Sequence, residues 1–214
     1  MNRRQFLAGT AGATIVVVTG GPITYNVAAS GMAGNGTVSA TVNASAVNDA
    51  LGNPSSTSTS ADNIVTYDVT QPSATSIVRA DANPTNAVSV DFTVTFSENV
   101  TGVDTADFTL TTTGVAGASI ASVSGSGLSY IITVNTGAGS GTIRLNLINN
   151  GTIRDTSNNV LSGPRIGDET YTIDKTVPTV TINQAPAQAD PTAVSLINFT
   201  ATFSEPVTGF DAGD

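Results

Sequence analysis

The stretch VSVDFTVTFSENVTGVDTAD, residues 88–107, decides the fold, because Val88, Val90, Phe92, Val94 and Phe96 occupy every second position in it. A period of two alternates side chains across an extended strand, so these five share one face, and the pattern predicts that all five are buried. Working outward, short β-branched and aromatic runs predict further strands at 74–79, 107–110, 118–124, 129–134, 141–147 and 169–173. Tyr130, Ile132 and Val134 should point inward from one of them, and Ile143, Leu145 and Leu147 from another. Gly and Asn punctuate nearly every gap, as turns require, and no apolar run keeps helical spacing. The class is therefore all-β.

The deciding stretch occurs twice. SLINFTATFSEPVTGFDAGD, residues 195–214, repeats Phe92, Phe96, Ser97, Glu98, Val100, Thr101, Gly102 and Asp107 as Phe199, Phe203, Ser204, Glu205, Val207, Thr208, Gly209 and Asp214 at a shift of 107, and Pro84 recurs as Pro191. Residues 9–25 align without a gap on 114–130, and 34–38 on 139–143, at a shift of 105. Asp62, Asp68, Thr70 and Pro72 recur as Asp168, Asp174, Thr176 and Pro178 at 106. A fixed period of this length signals an array of equal modules. The register predicts a partial unit over 1–68 that lacks its first two strands, a complete unit over 71–175, and the truncated start of a third over 176–214. Seven short antiparallel strands in about a hundred residues fit an immunoglobulin-like sandwich without its cysteines or tryptophan, with an up-and-down barrel as the alternative.

The phrases VTFSENVTGVDTADFTL, GSGTIRLNL, YTIDKTVPTVTI and FSEPVTGFDAGD resemble the bacterial Ig-like repeats of large secreted and surface-anchored adhesins. That resemblance covers nearly all of the chain. It implies tandem β-sandwiches forming a stalk or adhesive array, with calcium at module junctions in some relatives, and it implies no particular ligand.

Composition narrows the function classes. A formal charge of −9 repels phosphate backbones, so no nucleic-acid partner is expected. With no cysteine and no histidine there is neither a disulfide framework nor the usual zinc ligands, and a hydrolytic triad lacks its base. The chain is expected not to be an enzyme. The glycine-rich segments 125–127 and 137–141 lead into no helix that could bind a phosphate, so they read as hairpin turns. No segment reaches the ~18 to 20 apolar residues of a membrane-spanning helix. NRRQFL at 2–7 reads like a twin-arginine export signal, whereas the match of residues from Gly9 onward to a repeat strand favours a start inside a longer reading frame. Both readings predict an extracellular or cell-surface location.

The acidic residues form the candidate site. Loops of a seven-stranded unit alternate between its poles, which predicts that Glu98, Asp104, Asp155 and Asp168 lie at one end, where Asp68 arrives from the preceding unit. Such carboxylates repel one another unless a cation bridges them, and Ca²⁺ takes six to eight oxygens from sets of this kind. The next junction would reuse Asp174, Glu205 and Asp211. The plainer reading has Asp49 and Asp155 capping tight turns, Asp68 and Asp174 stopping strands, and the glutamates solvated.

The expected partners are neighbouring repeats of the same protein, together with head-to-tail self-association through the unpaired strands of the two partial units. The leading expectation is a structural spacer or adhesive module of a bacterial surface or secreted protein. The alternatives are a carbohydrate- or protein-binding module, which the scarcity of aromatics (four Tyr, no Trp) disfavours, and an accessory repeat of an exported enzyme.

Overall fold

Runs of β-branched and apolar residues separated by glycine and asparagine form strands along the whole described chain, which in this computed structural model comprises residues 7–9, 12 and 14–213. Residues 2–6 of the twin-arginine-like run, and Asp214 of the repeated stretch, lie outside it. The front segment holds β1 (Leu7–Gly9), β2 (Thr14–Gly20), β3 (Tyr25–Ser30), β4 (Gly36–Ala40) and β5 (Ile64–Tyr67). The central segment holds β6 (Ala74–Arg79), β7 (Ser89–Thr101), β8 (Phe108–Thr113), β9 (Ser119–Asn135), β10 (Gly141–Leu147), β11 (Arg154–Asp155), β12 (Arg165–Ile166) and β13 (Tyr171–Ile173). β14 (Val180–Gln184) and β15 (Phe199–Phe203) form the tail. Among the described residues the helical content is one 3₁₀ turn, Thr105–Asp107, so the chain is all-β.

The central segment builds two antiparallel sheets. In one, β7 lies between β6 and β9 and also pairs β11; in the other, β10 pairs β8, β12 and β13. Their inner faces meet in one core, where Ile77, Val90, Phe92, Val94 and Ile132 from the first sheet touch the cluster of Ile143, Leu145, Tyr171 and Ile173 from the second. Full burial of each such side chain is worth about 1.5–3 kcal/mol relative to exposure, so this one contact surface supplies most of the stabilisation. The rings of Phe92 and Tyr171 meet edge-on across the sheets at 5.0 Å. Two separate sheets replace the barrel alternative.

The alternating face of β7 is buried from Val90 to Phe96, but Val88 is 79% exposed. It precedes the strand, and although its carbonyl still accepts from the Thr136 N–H, its side chain lies beyond the last covered layer. The strands expected at 118–124 and 129–134 are one continuous run, β9, that doubles back on itself. Asn135 Nδ2 donates to Ser119 Oγ at 3.4 Å, and Gly125, at φ +107°, passes so close to Ser129 O and Tyr130 Cα that a Cβ there would collide with both.

Pairing recurs along the chain. β4 sets Gly36 opposite Tyr67 and Val38 opposite Val65, as β10 sets Gly141 opposite Ile173 and Ile143 opposite Tyr171. The β2–β3 hairpin sets Thr14 opposite Ser30 and closes at Gly20, whose Cβ would meet Thr24 O and Tyr25 Cα in the manner of Gly125. β14 and β15 set Ile182 opposite Ala201, where β6 and β7 set Ile77 opposite Val94.

The outer edge of β6 is closed by side chains. Asp168 Oδ2 accepts from the Ile77 N–H at 2.7 Å and Glu169 Oε2 from the Arg79 N–H at 2.8 Å. Arg165 holds Asp168 in turn through an ion pair at 2.6 Å. An edge whose N–H groups are already accepted offers no template to another chain. Tyr171 closes the end of the same strand: its hydroxyl accepts from the Ala80 and Asp81 N–H groups at 3.1 and 2.7 Å and donates to Asp91 O at 2.7 Å. Burial, together with the Asp81 charge, pushes the phenol above its ordinary value despite the opposing backbone hydrogen bonds. Tyr171→Phe keeps the ring and leaves the Ala80 N–H paired with the Asp91 carbonyl at 3.0 Å, but takes the acceptor from the Asp81 N–H. It should lower the free energy of unfolding by about 1 kcal/mol, measured by urea titration at neutral pH. A change within experimental error would mean that the Asp81 N–H is satisfied elsewhere.

Candidate functional site

The segments meet at two linkers built to one plan. At the first, Asp68 Oδ1 accepts from the Thr70 N–H at 2.9 Å, and Asn35, on the loop before β4, accepts from the Val69 N–H at 2.8 Å through Oδ1 and donates to Thr70 Oγ1. At the second, Asp174 Oδ1 accepts from the Thr176 N–H at 3.0 Å, and Ser140, on the loop before β10, accepts from the Lys175 N–H at 2.9 Å and lies 3.0 Å from Thr176 Oγ1. An aspartate followed two residues later by threonine folds into a turn closed by the carboxylate. A polar side chain from the neighbouring loop then takes the intervening N–H, so each linker is held rather than free to swing. Lys175 adds donation from Nζ to Thr136 Oγ1 at 2.8 Å and Gly137 O at 2.6 Å.

The first linker also docks onto the central segment. The turn 155–159 points Asn159 and Ser157 at Asp68: Asn159 Nδ2 donates to the Asp68 carbonyl at 3.2 Å and Ser157 Oγ to Asp68 Oδ2 at 3.3 Å. That turn is shaped by Asp155, whose Oδ1 accepts from the Ser157 and Asn159 N–H groups and whose Oδ2 accepts from Asn159 Nδ2. Asp49 makes the matching set with Leu51 and Asn53. The left-handed position held by Gly52 (φ +89°) in one turn is held by Asn158 (φ +69°) in the other, since asparagine tolerates that region. The turn therefore survives without its glycine.

Of the five carboxylates expected at the first junction, three gather. Asp68, Glu98 and Asp155 each bring a ligand oxygen within 4.8 Å of the others, the arrangement a divalent cation would use. Glu98 lies inside β7 rather than in a loop, which places it beside β11 and Asp155. Asp104 stands apart: it caps the 3₁₀ turn, its Oδ1 accepting from the Ala106 N–H at 2.7 Å, while buried Asp107 accepts from the Asp104 N–H and from the Thr152 hydroxyl. Asp168 is engaged at the β6 edge. Asp174 serves the second linker, Asp211 Oδ1 accepts from the Gly213 N–H, and Glu205 Oε1 has no hydrogen-bond partner among the described residues. The shifts of 106 and 107 that carry Asp68 to Asp174 and Glu98 to Glu205 carry Asp155 past residue 214, so its counterpart lies outside the sequence.

The three carboxylates differ in character. Burial and then the charges of Asp155 and Asp68 raise the Glu98 carboxyl above its ordinary value. Burial works against the Asp155 anion too, but the hydrogen bonds from Asn159, Ser157 and Asn158 outweigh it and hold that carboxyl low. Asp174 is lowered by the Thr176 and Ser140 bonds. The residues that carry the linkers but were not singled out from the sequence are Asn35, Ser140, Ser157 and Asn159. Asn35 and Ser140 differ in type within the aligned segments 34–38 and 139–143, so identity matching passes over a role that both fill.

No protein-family model and no curated protein matches the chain. The N-terminal part of the bacterial S-layer protein SbsC, a solved structure, aligns with 54% of this chain at 21% identity and a TM-score of 0.35. The aligned region spans about a quarter (26%) of that structure.

A raised Glu98 carboxyl means that the folded state binds that proton more tightly than the unfolded state. The cost it reports, from burial first and then from the Asp155 and Asp68 charges, is fully present above the raised value and vanishes as pH falls below the ordinary 4.5. Glu98→Gln should therefore raise the thermal midpoint at neutral pH in metal-free buffer, and the gain should disappear in acid. An equal gain at all pH values would place its origin outside the charge.

Proposed function

We propose that the chain is a structural spacer: tandem immunoglobulin-like β-sandwich modules that hold another part of a bacterial surface or secreted protein away from the cell. In this reading residues 71–175 are one module, 1–68 the rear of another and 176–214 the front of a third, and none of them performs catalysis. The observation that carries it is the joint built twice, Asp68–Thr70 with Asn35 and Asp174–Thr176 with Ser140. A spacer needs joints that transmit direction, and at each linker the two N–H groups that follow the aspartate are accepted by side chains, which stiffens the chain there. The recurring strand pairings support the modular part of the reading. Among the described residues no helix is long and apolar enough to cross a membrane.

Asp68, Glu98 and Asp155 add a place where Ca²⁺ would tie the linker to the module, supplying three of the oxygens it needs. Millimolar Ca²⁺ should then raise the thermal midpoint of the native chain and leave the Glu98→Gln variant unmoved. Equal behaviour of the two would remove the ion from the account and leave the hydrogen-bonded joint. The spacer itself is tested by inserting a second copy of residues 70–175 between Lys175 and Thr176, which keeps the Asp-Lys-Thr linker at the new joint. Small-angle scattering should show the maximum dimension growing by about 35 Å, the length of a ten-residue strand. A chain that grows in mass without growing in length would contradict the reading.

A further inference from the structure

The tripeptide Asn-Gly-Thr occurs twice, at 35–37 and at 150–152, followed once by Val38 and once by Ile153. The two copies are not repeat equivalents, since the shift of 105 carries Asn35 to Ser140. Asparagine before glycine is the pair most open to ring closure, because glycine has no side chain to keep its backbone nitrogen away from the asparagine amide carbon. The intrinsic chemistry of the two copies is therefore the same, and a difference in their behaviour has to come from the fold.

At Asn35 the fold opposes that closure. Oδ1 accepts from the Val69 N–H at 2.8 Å and Nδ2 donates to Thr70 Oγ1, so both ends of the amide are pinned. Gly36 opens β4 opposite Tyr67. In that ladder the Ala40 N–H donates to Asn63 O at 3.0 Å, and the alternation of an antiparallel pair commits the Gly36 N–H to Tyr67 in the same way. Asn150, by contrast, is exposed and lies in the loop between β10 and β11. Gly151 stands at φ +85° with open space where a Cβ would be, and its N–H reaches the Asn149 side chain at 3.2 Å. Asn150 Oδ1 accepts from the Thr152 N–H at 3.0 Å, and the Thr152 hydroxyl lies 2.6 Å from it. These two donors sit where negative charge builds on Oδ1 during attack at Cγ.

We infer that Asn150 is a site of spontaneous conversion to aspartate and isoaspartate, assisted by Thr152, and that the first linker shields Asn35 from the same reaction. The Gly151 nitrogen gives its proton to water and bonds to Asn150 Cγ; the Cγ–Nδ2 bond breaks, and Nδ2 takes up a proton from water and leaves as ammonia. Water then opens the ring, at Cγ to leave aspartate or at the Asn150 main-chain carbonyl to leave isoaspartate, whose backbone runs through Cβ and Cγ. One water is consumed and one ammonia released, with no change of oxidation state. Conversion to aspartate sets a second acid on the Thr152 hydroxyl, which has one proton and already lies 2.7 Å from Oδ1 of buried Asp107. The change falls on the segment that leads through buried Ile153 into the 155–159 turn, onto which the first linker docks.

The test follows the exchange of ammonia for water at each site by mass spectrometry of proteolytic peptides, in the whole chain aged at mildly alkaline pH with and without urea. In urea the two sites should convert alike. In the native chain Asn150 should convert at least about tenfold faster than Asn35, whose hydrogen bonds must break before attack. Thr152→Val should slow Asn150 and leave Asn35 unchanged. Asn150→Gln, whose longer arm disfavours the ring, should leave position 150 unconverted, and both variants should keep the native strand content by circular dichroism. Equal rates at the two sites in the native chain, or a faster Asn35, overturn the inference. An undiminished rate at Asn150 in the Thr152→Val chain overturns the part given to Thr152.

Discussion

The structure depends on keeping one face of β7 dry. A strand that presents Val90, Phe92, Val94 and Phe96 on one side cannot stand alone in water, and the sheet formed by β10, β8 and β13 exists to cover it. Everything else in the central segment follows from that covering. Two stacked sheets sit about 10 Å apart, so chain ends and loops fall at the poles. The β6 edge, left over by the sandwich, is closed with Asp168, Glu169 and Arg165 rather than with another strand. Where the covering is incomplete, in the front and tail segments, the same residue types lie in water.

The period of two was the legible part of the fold. Alternation reports burial directly, which is why Tyr130, Ile132, Val134, Ile143, Leu145 and Leu147 all point inward as their spacing implies. It reports nothing about where a sheet stops, so the alternation includes Val88, which lies beyond the core. Neither does it detect two-residue strands such as β11 and β12, which are too short to show any period.

The candidate site was less legible because a carboxylate has several ways of being satisfied. Asp68, Glu98 and Asp155 come together at one pole, with Glu98 reaching it from inside β7 rather than from the loop that chain order suggests. Asp104 and Asp168 differ from them in having closer partners: a backbone N–H at a 3₁₀ turn for one, a strand edge and an arginine for the other. A local hydrogen bond at 2.7 Å to an anion is worth more than a place in a mutually repelling cluster. The same competition explains why hydrogen bonds hold the Asp155 carboxyl low against its burial, while Glu98 is raised by burial and then by its two anionic neighbours.

The dry face of β7 can be measured directly by native-state hydrogen exchange on the whole chain. The account predicts that amides of β7, β10 and the second half of β9 exchange together and slowest, through global unfolding of the central segment, while those of β3 and β15 in dilute solution exchange far faster. Fast exchange along β7, or protection spread evenly over front, centre and tail, would contradict it.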